Sequence, residues 1–295
     1  MKKIGIIGSD NSHATTLTKH INLPDRATGV YNFPDYRVTH LFGFDMKRNE
    51  EVAREMDIPI IVSSPSEMLG EVDAAIVVFR HGDLHYKYAM PFIEVGIPIW
   101  VDKPFTIKVH EAKELVNEAE KRGSKLIGGS IIPTLPEVHR IRQSILDGKI
   151  GDIQTGSVSF AAQLNNEYGG LVFYGPHVVE TAMTIFGFDV KSVTAVQTTN
   201  IVTAIAKYEK FQITVNFIDY NKNLYIVVIG DKGEIMKSVE TGDAAKYEGV
   251  KRFIEIIEGK REAQKMEELL NPVVFLAAVE KSLKTGREAI LDQIL

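Results

Sequence analysis

Lys3-Ile4-Gly5-Ile6-Ile7-Gly8-Ser9-Asp10-Asn11-Ser12-His13 is an apolar run that breaks at a glycine and passes into polar residues. A short continuous apolar run bounded by a turn signal fits a strand buried on both faces. Gly8 can make the tight turn, and Asn11 and Ser12 are residue types that begin a helix. Strand, tight turn and helix together form the opening unit of a doubly wound parallel sheet, where a helix N-terminus is offered to a phosphate.

The pattern repeats. Apolar strands are predicted at Lys3–Ile7, Val38–Phe44, Ile60–Val62, Ala74–Phe79, Ile99–Val101 and Leu126–Gly128, with helices between them at Asn49–Met56, His85–Glu94 and Val109–Lys121. Such βαβ alternation predicts a Rossmann-type parallel sheet with helices on both faces. Asn22 to Tyr36, broken by Pro24, Gly29 and Pro34, reads as a surface loop inserted before the second strand. After Gly128 the texture changes to hairpin-spaced strands at Thr155–Ala161, Ser192–Thr199, Ile201–Lys207, Phe211–Ile218 and Leu224–Ile229, with helices at Pro136–Asp147 and Pro176–Phe186. This predicts an α+β domain over 129–295, with a mostly antiparallel open sheet, following a nucleotide-binding domain over 1–128. A C-terminal helix from about Asn271 to Thr285 ends at Gly286 and is free to pack back on the first domain.

Composition narrows the function. A net charge of −5 over 295 residues argues against nucleic acid as the main partner, because phosphate binding needs a basic face. With no cysteine, thiolate nucleophiles, disulfides and cysteine-held metals are excluded. His81 and His85 have i, i+4 spacing but no third ligand, so no metal site is expected. No apolar run is long enough for a bilayer, and the chain enters its first strand at once, so a cytoplasmic protein without membrane association is expected.

The glycine loop departs from Gly-x-Gly-x-x-Gly: the three positions hold Gly8, Asp10 and His13. A carboxylate at Asp10 disfavours an anion unless the side chain turns away, for instance to cap the helix. Ser9, Asn11 and Ser12 can supply donors in place of glycine backbone. Without a ligand the same residues make an ordinary capped strand–turn–helix. Asp45 ends the second strand where a dinucleotide's ribose needs an acceptor, and it favours NAD by repelling a 2′-phosphate. Lys47 and Arg48, just beyond, can instead attract one, which leaves NADP open.

Lys103 follows Asp102 at the end of the strand Ile99–Val101, just before Pro104. A fixed cation there can stabilise a developing alkoxide. Farther on lies Gly169-Gly170-Leu171-Val172-Phe173-Tyr174-Gly175-Pro176-His177-Val178-Val179-Glu180. His177 titrates near neutrality, Glu180 follows it by one helical turn, and Tyr174 carries a phenol hydroxyl.

Taken together, these segments resemble the glucose-fructose oxidoreductase / inositol dehydrogenase / rhizopine-catabolism (Gfo/Idh/MocA) family. Asp102-Lys103-Pro104 is similar to its Glu-Lys-Pro, and Gly175-x-His177 to its Gly-x-His. The stretch Asp73 to His85 is similar to its strand ending in Thr-Pro before Asn-x-x-His, with Arg80, His81 and Gly82 replacing the first residues and His85 matching. The resemblance implies catalytic Lys103 and His177, and substrate contacts from Tyr174 and Glu180. It further implies cofactor contacts from Gly8, Ser9, Asp10, Asn11, Ser12, His13, Asp45, Arg80, His81, His85, Asp102 and Lys103. Phe173 stands where the family has an aspartate, and Ser130-Ile131-Ile132-Pro133 replaces its arginine segment. The expected activity is hydride transfer between NAD(P) and a sugar, cyclitol or related polyol. Redox-neutral use of NAD to cleave or epimerise sugars, or a non-catalytic sensor, remain the alternatives. One face of the second sheet, if bare of helices, predicts a homodimer or homotetramer.

Overall fold

Ile4, Ile6 and Ile7 are fully buried, as an apolar strand between two helical layers requires. The computed structural model describes residues 1–219 and 223–295. Six strands, β1 (Lys2–Ile7), β2 (Tyr36–Phe42), β3 (Ile60–Ile61), β4 (Ala74–Val77), β5 (Ile99–Asp102) and β6 (Leu126–Gly129), form a parallel sheet in the order β3-β2-β1-β4-β5-β6. The order reverses between β1 and β4, and the crevice outside the carboxyl ends of these strands is where ligands of such sheets bind. Helices α1 (Ser12–Asn22), α2 (Met46–Met56), α3 (Asp83–Glu94) and α4 (Val109–Arg122) connect the strands.

The remaining elements are α5 (Pro136–Leu146), β7 (Ile153–Ala161), the single turn α6 (Leu171–Tyr174), α7 (Pro176–Phe186), β8 (Ser192–Gln197), β9 (Ile201–Lys207), β10 (Gln212–Ile218), β11 (Leu224–Gly230), β12 (Glu234–Val239), α8 (Asp243–Ile257), α9 (Met266–Thr285) and β13 (Ala289–Ile290). Their sheet runs β12-β11-β7-β10-β9-β8-β13 and is antiparallel except for the β7–β10 pair. Among the described residues, no helix is long and apolar enough to cross a membrane.

The chain groups into two compact units: Met1–Thr106 with Glu111–Gly128 and Lys246–Gln264, and Ile107–His110 with Gly129–Ala245 and Lys265–Leu295. The later segment that joins the parallel sheet is therefore 246–264, not the C-terminal helix. Its anchors are specific: Phe253 packs on Trp100 with ring centroids 5.8 Å apart, and Lys125 Nζ donates to the Ile257 carbonyl at 2.8 Å. Helix α9 instead packs on β8 and α7 within the second unit.

Candidate active site

In the first unit the predicted residues gather at the carboxyl ends of β1, β2, β4 and β5. Gly8 has φ +113°, and a Cβ there would lie 2.7 Å from the backbone nitrogen of Phe79. The turn after β1 is thus seated directly on the end of β4, and only glycine permits it. Asn11 caps α1, its Oδ1 accepting from the His13 N–H at 3.1 Å, while its Nδ2 is buried with no hydrogen-bond partner among the described residues. Ser9 is buried and Ser12 is exposed at the helix start. Asp10 does turn away, but not to cap the helix: its Oδ2 accepts from the Arg80 N–H at 3.1 Å. The carboxylate therefore joins the β1 and β4 turns.

Asp45 caps α2 by accepting from the Arg48 N–H at 3.2 Å. Arg48 is drawn inward, its Nε donating to the Ser9 carbonyl and its guanidinium pairing with Glu51, both at 3.2 Å. Ser9, Asp10, Phe44, Asp45, Lys47 and Arg48 contribute to the lining of a cleft of about 440 Å³. Phe44, 64% exposed, stacks on Phe79 beside these residues.

His81 is partly exposed, and its Nδ1 accepts from the Asp83 N–H at 3.4 Å. His85 is fully buried, with Nδ1 2.6 Å from the Pro104 carbonyl and Nε2 2.8 Å from the Phe79 carbonyl. A neutral ring donates to one of these and an imidazolium to both. Burial is the largest influence and holds its pKa below the ordinary histidine value, against the pull of the two carbonyls and Asp102. Both ring nitrogens are engaged within the chain, so His85 ties the β4 and β5 ends together.

Asp102 is fully buried, and its Oδ2 lies 2.6 Å from His13 Nδ1. Burial pushes its carboxyl up, but the His13 charge and hydrogen bond and the adjacent Lys103 prevail, leaving it below the usual carboxylate range. Lys103 itself is 4% exposed, and burial brings its pKa from 10.5 down to about 8, with Asp102 opposing and Arg80 reinforcing the fall. An amine with that value is within reach of both protonation states near neutral pH.

The second unit holds another cluster. His177 sits at the start of α7, behind Pro176, and its Nδ1 lies 2.7 Å from Ser130 Oγ. Ser130 is fixed in turn: its Oγ accepts from the Ile132 N–H at 3.0 Å, and its own N–H donates to Glu180 Oε2 at 2.8 Å. Gly129 has φ +84°, and any side chain there would overlap the Glu180 carboxylate. Tyr174 crosses His177 edge-on at 5.0 Å, and Phe173 packs against Tyr168 and Tyr174. Burial raises the Tyr174 pKa.

Two partners escaped the sequence reading. Ser130 figured there only as part of a missing arginine segment, and nothing local marks it, since it meets His177 across 47 residues. His13 figured there as a lost glycine and an implied cofactor contact, with nothing to mark Asp102, which it reaches across 89 residues, as its partner.

Residues 2–130 match the model of an oxidoreductase family with an NAD-binding Rossmann fold, Gfo/Idh/MocA. The chain is 24% identical over 163 residues to trans-1,2-dihydrobenzene-1,2-diol dehydrogenase of Oryctolagus cuniculus, covering 52% of this chain and 50% of that protein. To the NADP-dependent scyllo-inositol 2-dehydrogenase of Bacillus subtilis it is 26% identical over 161 residues, covering 50% of this chain and 44% of the relative. It spans about half the length of these relatives. In fold it is similar to scyllo-inositol dehydrogenase from Lactobacillus casei, solved with NAD(H) and scyllo-inositol, at a TM-score of 0.85 and 14% identity over 99% of each chain. Similar in sequence over residues 2–130 to that family's NAD-binding Rossmann model, and in fold over its whole length to solved dehydrogenases, this chain resembles the Gfo/Idh/MocA oxidoreductases.

Proposed function

We propose that the protein is an NAD-dependent dehydrogenase acting on a CH–OH group of a sugar, cyclitol or related polyol. The observation that carries this reading is Lys103, a buried lysine at the carboxyl end of β5 in a family Rossmann domain, with a pKa brought to about 8. The first unit suits the cofactor. The α1 N-terminus is capped but keeps a buried, unpartnered amide donor at Asn11, Asp10 is turned aside, and Asp45 borders a cleft at the end of β2. When bound, NAD supplies the hydride acceptor. Neutral Lys103 takes the hydroxyl proton on Nζ as the C–H bond breaks, and its ammonium then faces the developing carbonyl oxygen. His177, buried and oriented by Ser130, is the proposed second proton carrier, with Tyr174 and Glu180 shaping the substrate side.

Asp45 is the proposed ribose ligand, one oxygen being used by the Arg48 N–H and the second left for a ribose hydroxyl. With Arg48 held by Glu51 and Ser9, NAD is preferred over NADP. In calorimetry, wild type is expected to bind NADH more tightly than NADPH, and Asp45→Ala to weaken NADH by about tenfold, or 1.4 kcal/mol. Absence of binding by either nucleotide overturns the reading. A non-catalytic binding protein is the second reading, favoured by Phe173 in place of a carboxylate; turnover of any polyol with net NADH formation removes it.

The assembly we propose is a homodimer or homotetramer through the second sheet. Helices α7 and α9 pack on one face. The other carries a hydrogen-bonded set of Ser157, Ser159, Thr203, Thr214 and Asn216, flanked by exposed Val196, Tyr225, Ile229 and Met236. Val227, on that same face opposite Ser157, is a sensitive position. Light scattering is expected to give an oligomer for wild type and a smaller species for Val227→Asp; a monomeric wild type sinks the proposal.

A further inference from the structure

His13 occupies the place of the third glycine, a position normally kept small so that helix and strand pack closely. Here its ring leans from the first turn of α1 to the end of β5 and meets a carboxylate at 2.6 Å. That carboxylate, Asp102, is wholly shielded from solvent, and its second oxygen has no hydrogen-bond partner among the described residues. It is also the chain neighbour of Lys103. The charged and titratable groups acting on this cluster are His13, Arg80, His85, Asp102 and Lys103.

We propose that His13 is a positioning residue for Lys103: by pairing with Asp102 it keeps a buried carboxylate ionised behind the lysine, so that the cofactor loop governs the protonation of the residue handling the substrate's proton. The inference rests on the reading of Lys103 given above. Burial is the strongest influence on Asp102 and favours its neutral form, while His13 supplies the strongest opposing pull. Without His13, burial is opposed by the Lys103 charge and backbone N–H, and the Asp102 carboxyl moves toward its neutral form. Lys103 then loses a negative neighbour that supports its ammonium, while burial and Arg80 continue to act against it. Deleting His13 therefore reproduces the deletion of the carboxylate charge, and the two effects do not add.

The test uses the whole, cofactor-free protein. Lys103 is titrated by ¹³Cε lysine NMR, its resonance identified by its loss in Lys103→Arg, in wild type, His13→Ala, Asp102→Asn and the double variant. The Lys103 midpoint is expected to fall from its wild-type value by about one pH unit, equally in all three variants. A midpoint unchanged or raised in His13→Ala, or a double variant showing the sum of the single shifts, overturns the proposal. Should His13→Ala not fold, His13→Asn keeps a donor without the imidazole ring and is expected to lower the midpoint by a smaller amount; no shift counts against the proposal. Turnover separates this inference from the one beneath it. A fully active Lys103→Met removes the catalytic reading, whereas an inactive Lys103→Met beside an unshifted His13→Ala removes only the role of His13.

Discussion

Lys103→Met is expected to lower kcat by about three orders of magnitude while NADH affinity stays near wild type, because general acid–base and electrostatic contributions of this kind are worth roughly 10²–10⁴-fold. Methionine fills the same buried volume without the amine, so the loss reports the nitrogen and not a cavity. In wild type the oxidative rate is expected to rise with pH through about 8 as Lys103 loses its proton, and to level above it. Stability and activity both rise with pH here, for different reasons. The folded state holds the lysine at about 8 against 10.5, so between those values the unfolded chain binds more protons and stability rises with pH. Below about 8 both states are protonated and the cost of burying the ammonium is fully present. At about 1.4 kcal/mol per pH unit the fall amounts to roughly 3 kcal/mol. Lys103→Met is therefore expected to melt higher than wild type at pH 7, with the gain shrinking toward pH 10. An enzyme that is hotter-melting and inactive is the signature of a functional lysine; one that turns over normally refutes the assignment.

The parallel sheet was legible because each of its strands is a short apolar run closed by a turn, and period and punctuation are local properties. The pattern places Val38–Phe44 two residues later than β2 and makes Ala74–Phe79 two residues longer than β4, since apolar residues continue past the last ladder bonds into the turns. Candidate residues stand out in the sequence where a residue type sits at the end of such a strand, as with Asp45, Asp102 and Lys103, or at a helix start, as with His177. What could not be read is pairing across distance. Asp10 carries the same carboxylate whether it caps α1 or bridges to Arg80, and the choice is made by β4 lying beside β1. Ser130 becomes a partner of His177 only because the second unit brings two segments 47 residues apart within hydrogen-bond reach. The segment 246–264 likewise has nothing in its periodicity to say which sheet it covers; Trp100 and Lys125 decide it.

His85→Ala carries the largest expected loss of stability. The wild-type ring lies between the carbonyls of Phe79 and Pro104, and no solvent reaches it. Alanine leaves both carbonyls buried without that donor and a cavity the size of an imidazole. An unsatisfied buried polar group costs about 1–3 kcal/mol, and a cavity adds its own term, so a loss of roughly 3–5 kcal/mol follows. For a chain of this size that is a fall in Tm of about 10 °C, measurable by circular dichroism. The consequence extends to the site, because the two carbonyls belong to the residues that seat Gly8 and follow Lys103. Phe79 is the backbone on which the β1 turn rests, so NADH affinity is expected to fall, and Pro104 is bonded to Lys103, so kcat is expected to fall with it. His85→Gln, which returns one donor, is expected to recover part of the stability. A His85→Ala protein within 1 kcal/mol of wild type shows instead that the carbonyls find other partners and that the turns do not depend on the ring.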